Sequence, residues 1–481
     1  MATINSALSL ISGALNADQA ALSIVANNVA NANTTGYTRQ TANFQESAPV
    51  VINGIAYGSG VTETGPVSVR DNVLEQRLAQ QQQLASSSGS RLTALNSVQA
   101  LFAPASGTSS AGNVGADLAS LFSSFSSLEA SPTDNAMRQQ VLSSANTLAG
   151  DISNIAASLN SQRSALDQEA VSAATQVNTL TSSIASLNLQ IQSVGAQGNA
   201  SALEDQRQQD LSQLSALVGI NQIRTENNGL SITTTSGQLL VSEGSSVVLN
   251  TGTVSGVTHF YLGSTDVTAG LTSGGGSLGG YLTARDQDIP STLASLDQLA
   301  YAVSTQVNAA NNSGTALNGT QGTGTNAAGV TGTGATPLYI FNEPAGVTGS
   351  AAGMRVIMTD PSQIAAAALG SGTGDNSNAV QMAGLANQNL VSGQTPANYY
   401  SQFVTQLGSL VSGVQTDNTA QNASVTQLQT QVSTLSSVNL NDEASSMQQF
   451  ERSYQAASEV FTLLNTVISS ALNLGVQTAV A

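Results

Sequence analysis

The sequence predicts a mainly α-helical fold with a β insertion: paired N- and C-terminal coiled-coil helices, a long-helix bundle and a small inserted β domain. Three observations indicate this. Both ends carry apolar residues at heptad spacing, the middle carries a proline-free heptad run, and a later stretch alternates in short segments separated by glycine turns. In this order the elements describe a chain that runs outward and returns to its starting end.

The N-terminal element is a helix with one narrow apolar stripe. Residues seven apart fall on the same helical face, and a stripe of this width is typical of a coiled-coil seam. The charged residue in the stripe is Asp18, and a polar residue at such a position can set the register of pairing. Two rows form the stripe: Ile4, Ile11, Asp18 and Val25 in one, and Leu8, Leu15, Leu22 and Val29 in the other.

The C-terminal element repeats this pattern. We therefore expect the two ends to pair; the alternative is that each stripe packs on its own domain. The rows are Met447, Tyr454, Phe461 and Ile468, and Phe450, Ala457, Leu464 and Ala471. The residues predicted to form an assembly interface are Ile4, Leu8, Ile11, Leu15, Leu22, Val25, Val29, Phe450, Tyr454, Ala457, Phe461, Leu464 and Ile468.

The longest predicted helix lies in the first half of the chain. Its apolar residues recur every seventh position from Ile152 to Val194, and Gly195 and Gly198 end it. A helix of this length without proline is typical of a coiled coil or a bundle. Shorter helices follow, one marked by Leu203, Leu211, Leu214 and Leu217, the other by Val425, Leu428, Val432 and Leu435.

Two later regions have a different character. Turn dipeptides such as Asn228-Gly229 separate short β-like runs, which predicts a small β domain. Residues 313–336 are rich in Gly, Thr and Asn and indicate a surface loop, followed by candidate strands at Leu338–Phe341 and Met354–Met358. The predicted organisation is a terminal coiled-coil layer at 1–33 and 440–481, a long-helix domain at 34–220 with 281–312 and 375–439, an outer β domain at 221–280, and a Gly/Thr-rich loop with short strands at 313–374.

Composition excludes several functions. The net charge is −17 and every basic residue is Arg, which argues against nucleic acid and anionic membrane surfaces as partners. The chain has no Cys, so disulfides and zinc–thiolate sites are excluded. Because it also lacks Lys, P-loop nucleotide binding and Schiff-base catalysis are excluded.

The sequence contains no recognisable catalytic or metal-binding constellation. His259 is the only histidine, and we interpret it as structural. Asp375–Asn378 has some character of a calcium loop but lacks the Gly and the bidentate Glu of an EF-hand. Asp286 and Asp288 precede Pro290, which predicts a helix start capped by these carboxylates. The prediction is therefore a non-enzyme with no cofactor and no metal.

The N-terminus lacks the features of a cleaved secretory signal. No basic residue precedes Arg39, and Ser, Asn and Asp interrupt the apolar residues. No uninterrupted apolar run of about eighteen residues predicts a membrane span. If the chain leaves the cell, we expect export without a cleaved signal peptide.

The strongest motif follows the N-terminal helix, between Ala26 and Arg39. The heptad helix ends at an Asn-rich turn, Gly36 permits a positive φ, and Tyr37 can anchor the outgoing chain. This run resembles the signature of flagellar rod, hook and hook-associated proteins. Its motif residues are Asn27, Asn28, Asn31, Thr35, Gly36 and Tyr37.

Four further segments are similar to the hook-associated protein 1 family within that group, and they cover both ends and the main joints of the chain. Gln208 departs from the family, which often has an acidic residue there. The segments are Leu203–Arg207 continuing to Leu217–Gly219, Gly279–Asp286 with Ile289-Pro290, Gly374–Ala379, and Ser437–Ala444 with Phe450 and Tyr454.

The resemblance implies a structural subunit of the bacterial flagellum that joins hook to filament by self-assembly through its terminal helices. The terminal helices would line a tubular homo-oligomer, and the β domain would project outward. The resemblance also implies export by the flagellar type III apparatus with a cytoplasmic chaperone, and an extracellular location on the flagellum. Hook protein and hook-associated protein 3 would be the neighbours.

Two other interpretations stay open on the sequence alone. Another flagellar axial protein, of the hook or the distal rod, shares the Asn-rich motif, although the long heptad run and Leu203–Arg207 favour the hook-associated class. A surface adhesin fits the Gly, Thr and Asn richness and the acidity, but it would normally need a secretion signal or an anchor.

Overall fold

The computed structural model describes residues 2–52, 54–103, 113–194, 200–226 and 228–477, without the side chains of residues 2–5, 52 and 473–477. Helices make up most of it. The α-helices are α1 (Ala2–Asn31), α2 (Asn72–Ala100), α3 (Val114–Ala130), α4 (Asn135–Val194), α5 (Ser201–Leu217), α6 (Thr268–Thr272), α7 (Gly276–Thr283), α8 (Ile289–Asn312), α9 (Ser350–Gly353), α10 (Ser377–Gly384), α11 (Pro396–Ser436) and α12 (Leu440–Gln477).

Short antiparallel strands lie between the helices. They are β1 (Gln40–Glu46), β2 (Val50–Ile52), β3 (Ile55–Tyr57), β4 (Val61–Ser68), β5 (Ile220–Arg224), β6 (Leu230–Thr234), β7 (Leu239–Ser242), β8 (Ser245–Ser246), β9 (Leu249–Val254), β10 (Val257–Leu262), β11 (Thr265–Asp266), β12 (Gly314–Thr315) and β13 (Ala367–Ala368). The fold class expected from the sequence is confirmed, with long helices at both ends and small antiparallel sheets in the middle.

By its contacts the chain divides into two units. Unit 1 comprises Met1–Ser86, Ala173–Gly276 and Ala420–Ala481, and unit 2 comprises Ser87–Ser172 and Ser277–Thr419. Helices α2, α4 and α11 contribute residues to both units. Gly195 and Gly198, which are predicted to end the long helix, lie outside the described residues.

In unit 1 the two terminal helices pack side by side, together with a β-ribbon. The contacts of α1 are with α12, β1 and β4. The packed face of α1 carries small and β-branched residues, because Ala17, Ala21 and Ile24 are buried there. Small side chains let neighbouring elements approach closely along this face.

Residues 40–68 correct the expectation of a long-helix domain from residue 34 onward. They form the ribbon of β1 and β4, extended by the β2–β3 hairpin, in which Val50 pairs with Tyr57. The sequence carries Asn53-Gly54 between two short apolar runs, which is a strong hairpin signal. Gly54 has a φ of +79°, as a turn of this kind requires.

The β insertion packs on the helices of unit 1. Its strands form the four-stranded sheet β5-β6-β7-β8 and the three-stranded sheet β11-β10-β9. Fully buried Asn188 of α4 donates to the carbonyl oxygens of Leu230 and Glu243, at 2.7 Å each, and accepts a hydrogen bond from Arg207 of α5 at 2.8 Å. Burial lowers the pKa of Arg207 to about 10.

The predicted range of the β domain, 221–280, is too long at its C-terminal side. The last strand ends at Asp266, and residues 268–272 and 276–283 are helical. The pair Gly279-Gly280, at the C-terminal limit of the predicted domain, lies in α7. A Cβ at position 280 would collide with the backbone oxygen of Ser87, so glycine permits close helix–helix contact here.

Unit 2 has one large apolar core. It is built from α2, α3, α4, α8 and α11, with fully buried Phe125 and Leu121 at its centre. Three asparagines of α8 hold the Gly/Thr-rich region against this core through hydrogen bonds to its backbone. Asn308 bonds the backbone of Ile340 and Phe341. Asn311 bonds the backbone of Leu338 and Ala365, and Asn312 bonds the backbone of Thr323 and Leu338. The candidate strands Leu338–Phe341 and Met354–Met358 are joined only by an isolated bridge between Phe341 and Val356, and they contribute buried side chains such as Leu338 and Ile340 to this core.

The expected helix start at Pro290 is wrong, because α7 continues through a π-helical turn, Ala284–Asp288, into α8. Asp288 makes no side-chain cap bond and instead accepts a bidentate pair from Arg91, at 2.8 Å for each bond. Asp286 likewise accepts from Nε and Nη2 of fully buried Arg285, whose Nη1 donates to Asp167. The carboxylates neutralise arginines of the helix bundle, which sequence spacing alone did not indicate.

A carboxyl pair between α3 and α4 predicts pH-dependent stability of unit 2. Burial raises the pKa of Asp117 to about 7, and the hydrogen bond with Asp151 and the charge of Asp151 act in the same direction. Burial, together with the charge of Asp117, also raises the pKa of Tyr400 to about 12. An unfolded Asp loses its proton near pH 4. The folded state therefore loses stability as pH rises from about 4 to about 7, since it binds the proton more tightly than the unfolded state does.

We expect Asp117→Asn to raise the thermal midpoint of unit 2 at pH 8 and to leave it unchanged or lower at pH 4. The amide keeps a hydrogen-bond donor toward Asp151 without a second negative charge. Thermal unfolding followed by circular dichroism at both pH values measures this. The exposed Glu169→Gln is the control, and an equal shift for both variants would contradict the carboxyl pair.

Candidate functional site: the junction of the terminal helices

The predicted stripe of α1 is only partly buried. Ile11 and Val25 are buried, Leu8, Leu15 and Leu22 are half-buried, and Val29 is 40% exposed. The side chain of Ile4 lies outside the described part of the chain. The most deeply buried face of α1 is therefore not the second predicted row but the face that carries Ala21 and fully buried Asn28.

The predicted stripe of α12 is half-buried along its length, at Phe450, Ala457, Phe461, Leu464 and Ile468. Tyr454 is 39% exposed. The chain thus uses this row beside α1, and its role in contacts between subunits stays a prediction.

Asn28 is the centre of a buried polar cluster at the end of α1. Its amide nitrogen donates to the backbone oxygen of Gln40 at 2.8 Å and to Glu443 Oε2 at 3.0 Å. Its oxygen accepts from the Gln40 N–H at 3.0 Å and from the Tyr37 hydroxyl at 2.8 Å. Both donors and both lone pairs of the amide are used, so only asparagine satisfies this position fully.

Glu443 connects this cluster to the start of α12. It is buried, and its Oε1 accepts from Arg39 Nε at 2.6 Å. The Arg39 N–H donates to the backbone oxygen of Ser436 at 2.9 Å, at the end of α11. We call Asn28, Tyr37, Arg39, Gln40 and Glu443 the terminal junction. It ties the C-terminal end of α1 to the N-terminal end of α12.

A second tie joins the outgoing chain to α5. The N–H of buried Thr38 donates to Asp205 Oδ2 at 3.2 Å, and Arg70 binds both Asp205 and the Thr38 hydroxyl. Gln209 donates to the Thr35 oxygen at 3.2 Å. Gly36 has a φ of +80°, a conformation that favours glycine, and a Cβ there would also displace the end of the Gln209 side chain.

The other motif residues shape the helix end. Asn31 donates to the backbone oxygen of Asn27 at 3.0 Å, and Asn27 donates to the Tyr37 hydroxyl at 3.3 Å. Burial and the charges of Asp205 and Glu443 raise the pKa of Tyr37 to about 12. Tyr37 therefore stays a neutral donor to Asn28 at any physiological pH.

Sequence reasoning missed the acidic half of the junction. Glu443 lies in the segment Ser437–Ala444, and Asp205 lies in Leu203–Arg207, which were noticed only as resemblances. A buried carboxylate needs a cationic or amide partner. Arg39 at the end of the motif offered such a partner, but nothing in the spacing indicated which carboxylate it meets.

The junction holds helix ends in place through its side-chain hydrogen bonds. Within the described ranges, no group of three His, Cys, Asp or Glu residues could hold a metal ion. By length and composition alone, Ser6–Asn31 could cross a membrane, with a mean hydropathy of 1.2. Its buried Asp18 and Asn28 and its packing along α12 fit helix pairing instead. His259, the lone histidine, lies elsewhere, paired with Asp266 at 2.6 Å.

Residues 11–38, which contain most of α1 and the Asn-rich turn after it, match the family described as flagella basal body rod protein. Residues 95–325 match the flagellar hook-associated protein FlgK helical domain. Over these two stretches the chain is similar to flagellar axial proteins, and over the longer one to hook-associated proteins.

Relatives agree along different lengths of the chain. Flagellar hook-associated protein 1 of Salmonella typhimurium is 31% identical over 63% of this chain, and the aligned region spans 56% of that protein. The Bacillus subtilis protein of the same name is 27% identical over 96% of both chains. The flagellar hook junction protein FlgK from Burkholderia pseudomallei has a similar fold, with a TM-score of 0.61 at 18% identity, covering 74% of this chain and 99% of that one.

Proposed function

We propose that this chain is a structural subunit of the bacterial flagellum that joins hook to filament by self-assembly through its terminal helices. The observation that carries the proposal is the terminal junction, where Asn28 and Glu443 hold α1 and α12 together at a separation of 415 residues in sequence. A clamp of this kind fixes the geometry of both helices at once, as a repeating subunit requires.

The partners we propose are other copies of the chain, hook protein, hook-associated protein 3 and a cytoplasmic export chaperone. The chain acts as a mechanical connector and not as an enzyme, and no cofactor or metal, nucleic acid or membrane takes part. It is exported to the flagellum without a cleaved signal peptide. The net charge of −17 and the apolar stripes of α1 and α12 support association between proteins over binding to anionic polymers.

Deletion of the gene, followed by electron microscopy of the cell surface, tests the proposal. We expect hooks of normal length without filaments, and restored filaments when the wild-type chain is supplied from a plasmid. Unchanged filaments in the deletion strain would refute the proposal.

The same experiment separates the alternative axial roles. A hook protein or a distal rod protein is needed before hooks appear, so its deletion removes the hooks themselves. A surface adhesin would leave the whole flagellum intact.

A further inference from the structure

The β2–β3 hairpin presents an apolar tip to solvent. Val50 is 45% exposed, Val51 65%, Ile55 58% and Tyr57 50%. We call these four residues the hairpin tip. A two-stranded hairpin is marginally stable alone in water, and an exposed apolar ribbon of this kind is typical of a surface that another protein covers.

Helix α12 presents a second uncovered apolar row. Val460, Leu463 and Val467 are 49%, 67% and 47% exposed, and we call them the outer row. Each precedes by one position a residue of the half-buried row, such as Leu464, so the outer row is turned by about 100° from the row beside α1. A shallow, open groove of about 660 Å³ lies along Leu463 and Val467 of this row, and all the residues that line it belong to α12.

The walls of this groove are suited to a β-ribbon. Small hydroxyl residues recur at every fourth position along it and rise little above the helix surface: Ser458, Thr462, Thr466 and Ser470. Glu459 is the one charged residue among those lining it. Small side chains beside an apolar row let an extended backbone lie close to the helix.

A second copy of the chain fits both surfaces by charge. Copies with a net charge of −17 repel each other, so their contacts must avoid carboxylates. Residues 47–60 contain no charged side chain, and the groove contains only Glu459. The tip and the outer row are both exposed in the same chain, so neither covers the other within one subunit.

The new contact would continue one that the chain already makes. The stem of the same ribbon packs against the same helix through Phe44 and Phe450, whose ring centroids are 6.3 Å apart. The ribbon therefore already contacts α12 through an aromatic side chain near the start of that helix.

We infer that the hairpin tip of one subunit docks on the outer row of α12 in a neighbouring copy. The inference rests on the proposed self-assembly and specifies one of its contacts. Two different surfaces meet in this contact, so each subunit has one tip and one groove to offer. Contacts of this type produce rings or helical tubes rather than closed two-fold dimers.

Cysteine cross-linking tests the contact without background, because the chain has no Cys. Ile55→Cys and Leu463→Cys are placed in two differently tagged chains that are co-expressed in the deletion strain. Flagella are isolated and oxidised mildly. We expect a disulfide-linked dimer that carries both tags, and no dimer when either variant is expressed alone.

Val254→Cys combined with Leu463→Cys is the matched control, since Val254 is 45% exposed on β9 and lies outside both surfaces. A cross-link in this control, or tip-to-tip dimers from Ile55→Cys alone, would overturn the inference. Normal filaments without the mixed dimer would also overturn it while leaving the proposed function intact. If the wild-type chain is not found in flagella at all, the proposed function fails and the inference fails with it.

Discussion

Asn28→Ala is expected to destabilise unit 1 by roughly 3 kcal/mol or more, because it leaves several buried polar groups without their hydrogen-bond partner. Removal of the amide leaves the Gln40 N–H and oxygen, the Tyr37 hydroxyl and Glu443 Oε2 without their bonds to residue 28. The pairing of α1 with α12 should then loosen at its polar end. Thermal unfolding by circular dichroism and limited proteolysis at residues 30–45 would report the change.

The matched control is Asn33→Ala, an exposed asparagine in the same motif. It should unfold like the wild type. Asn28→Asp should be at least as harmful as Asn28→Ala at neutral pH, because it places a carboxylate 3.0 Å from that of Glu443. Equal stability of Asn28→Ala and Asn33→Ala would show that the terminal junction does not hold the helices.

Leu464→Asp is expected to abolish incorporation into the flagellum while leaving export intact. Leu464 is half-buried in the row of α12 that lies beside α1. A carboxylate there loses hydration without gaining a cationic partner, at a cost on the order of several kcal/mol. We expect the variant in the culture medium and hooks without filaments on the cells.

The control for this variant is Ser453→Asp, which adds the same charge at an exposed position of the same helix. It should support filaments. Normal filament growth from Leu464→Asp would rule out this row as part of the assembly seam.

Most of the fold was predicted from helix periodicity, because heptad spacing is a local property that can be recognised in the sequence alone. The run from Ile152 to Val194 lies wholly inside α4, which begins earlier, at Asn135. The β-ribbon at 40–68 was missed although Asn53-Gly54 signalled its turn, since the flanking strands are short and their apolar residues face solvent. The expected alternation of buried and exposed positions was therefore absent.

The sequence predicted the α1 side of the terminal junction but not the α12 side. The Asn-rich motif predicted an anchored chain at the end of α1, and Gly36 has the positive φ expected there. Glu443 could not be assigned, because its partner Asn28 is 415 residues away and no local pattern connects them. Only Asp288 shows the same limit, because its partner Arg91 is 197 residues away, whereas Asp286 binds its sequence neighbour Arg285.

Site-specific labelling tests the central claim most directly. Val254→Cys places a single thiol on an exposed strand of a chain that otherwise has no Cys. Intact cells expressing this variant in place of the wild-type chain are labelled with maleimide-gold and viewed by electron microscopy. We expect one compact cluster of gold per flagellum, between hook and filament. Gold spread along the filament or over the cell surface would contradict it.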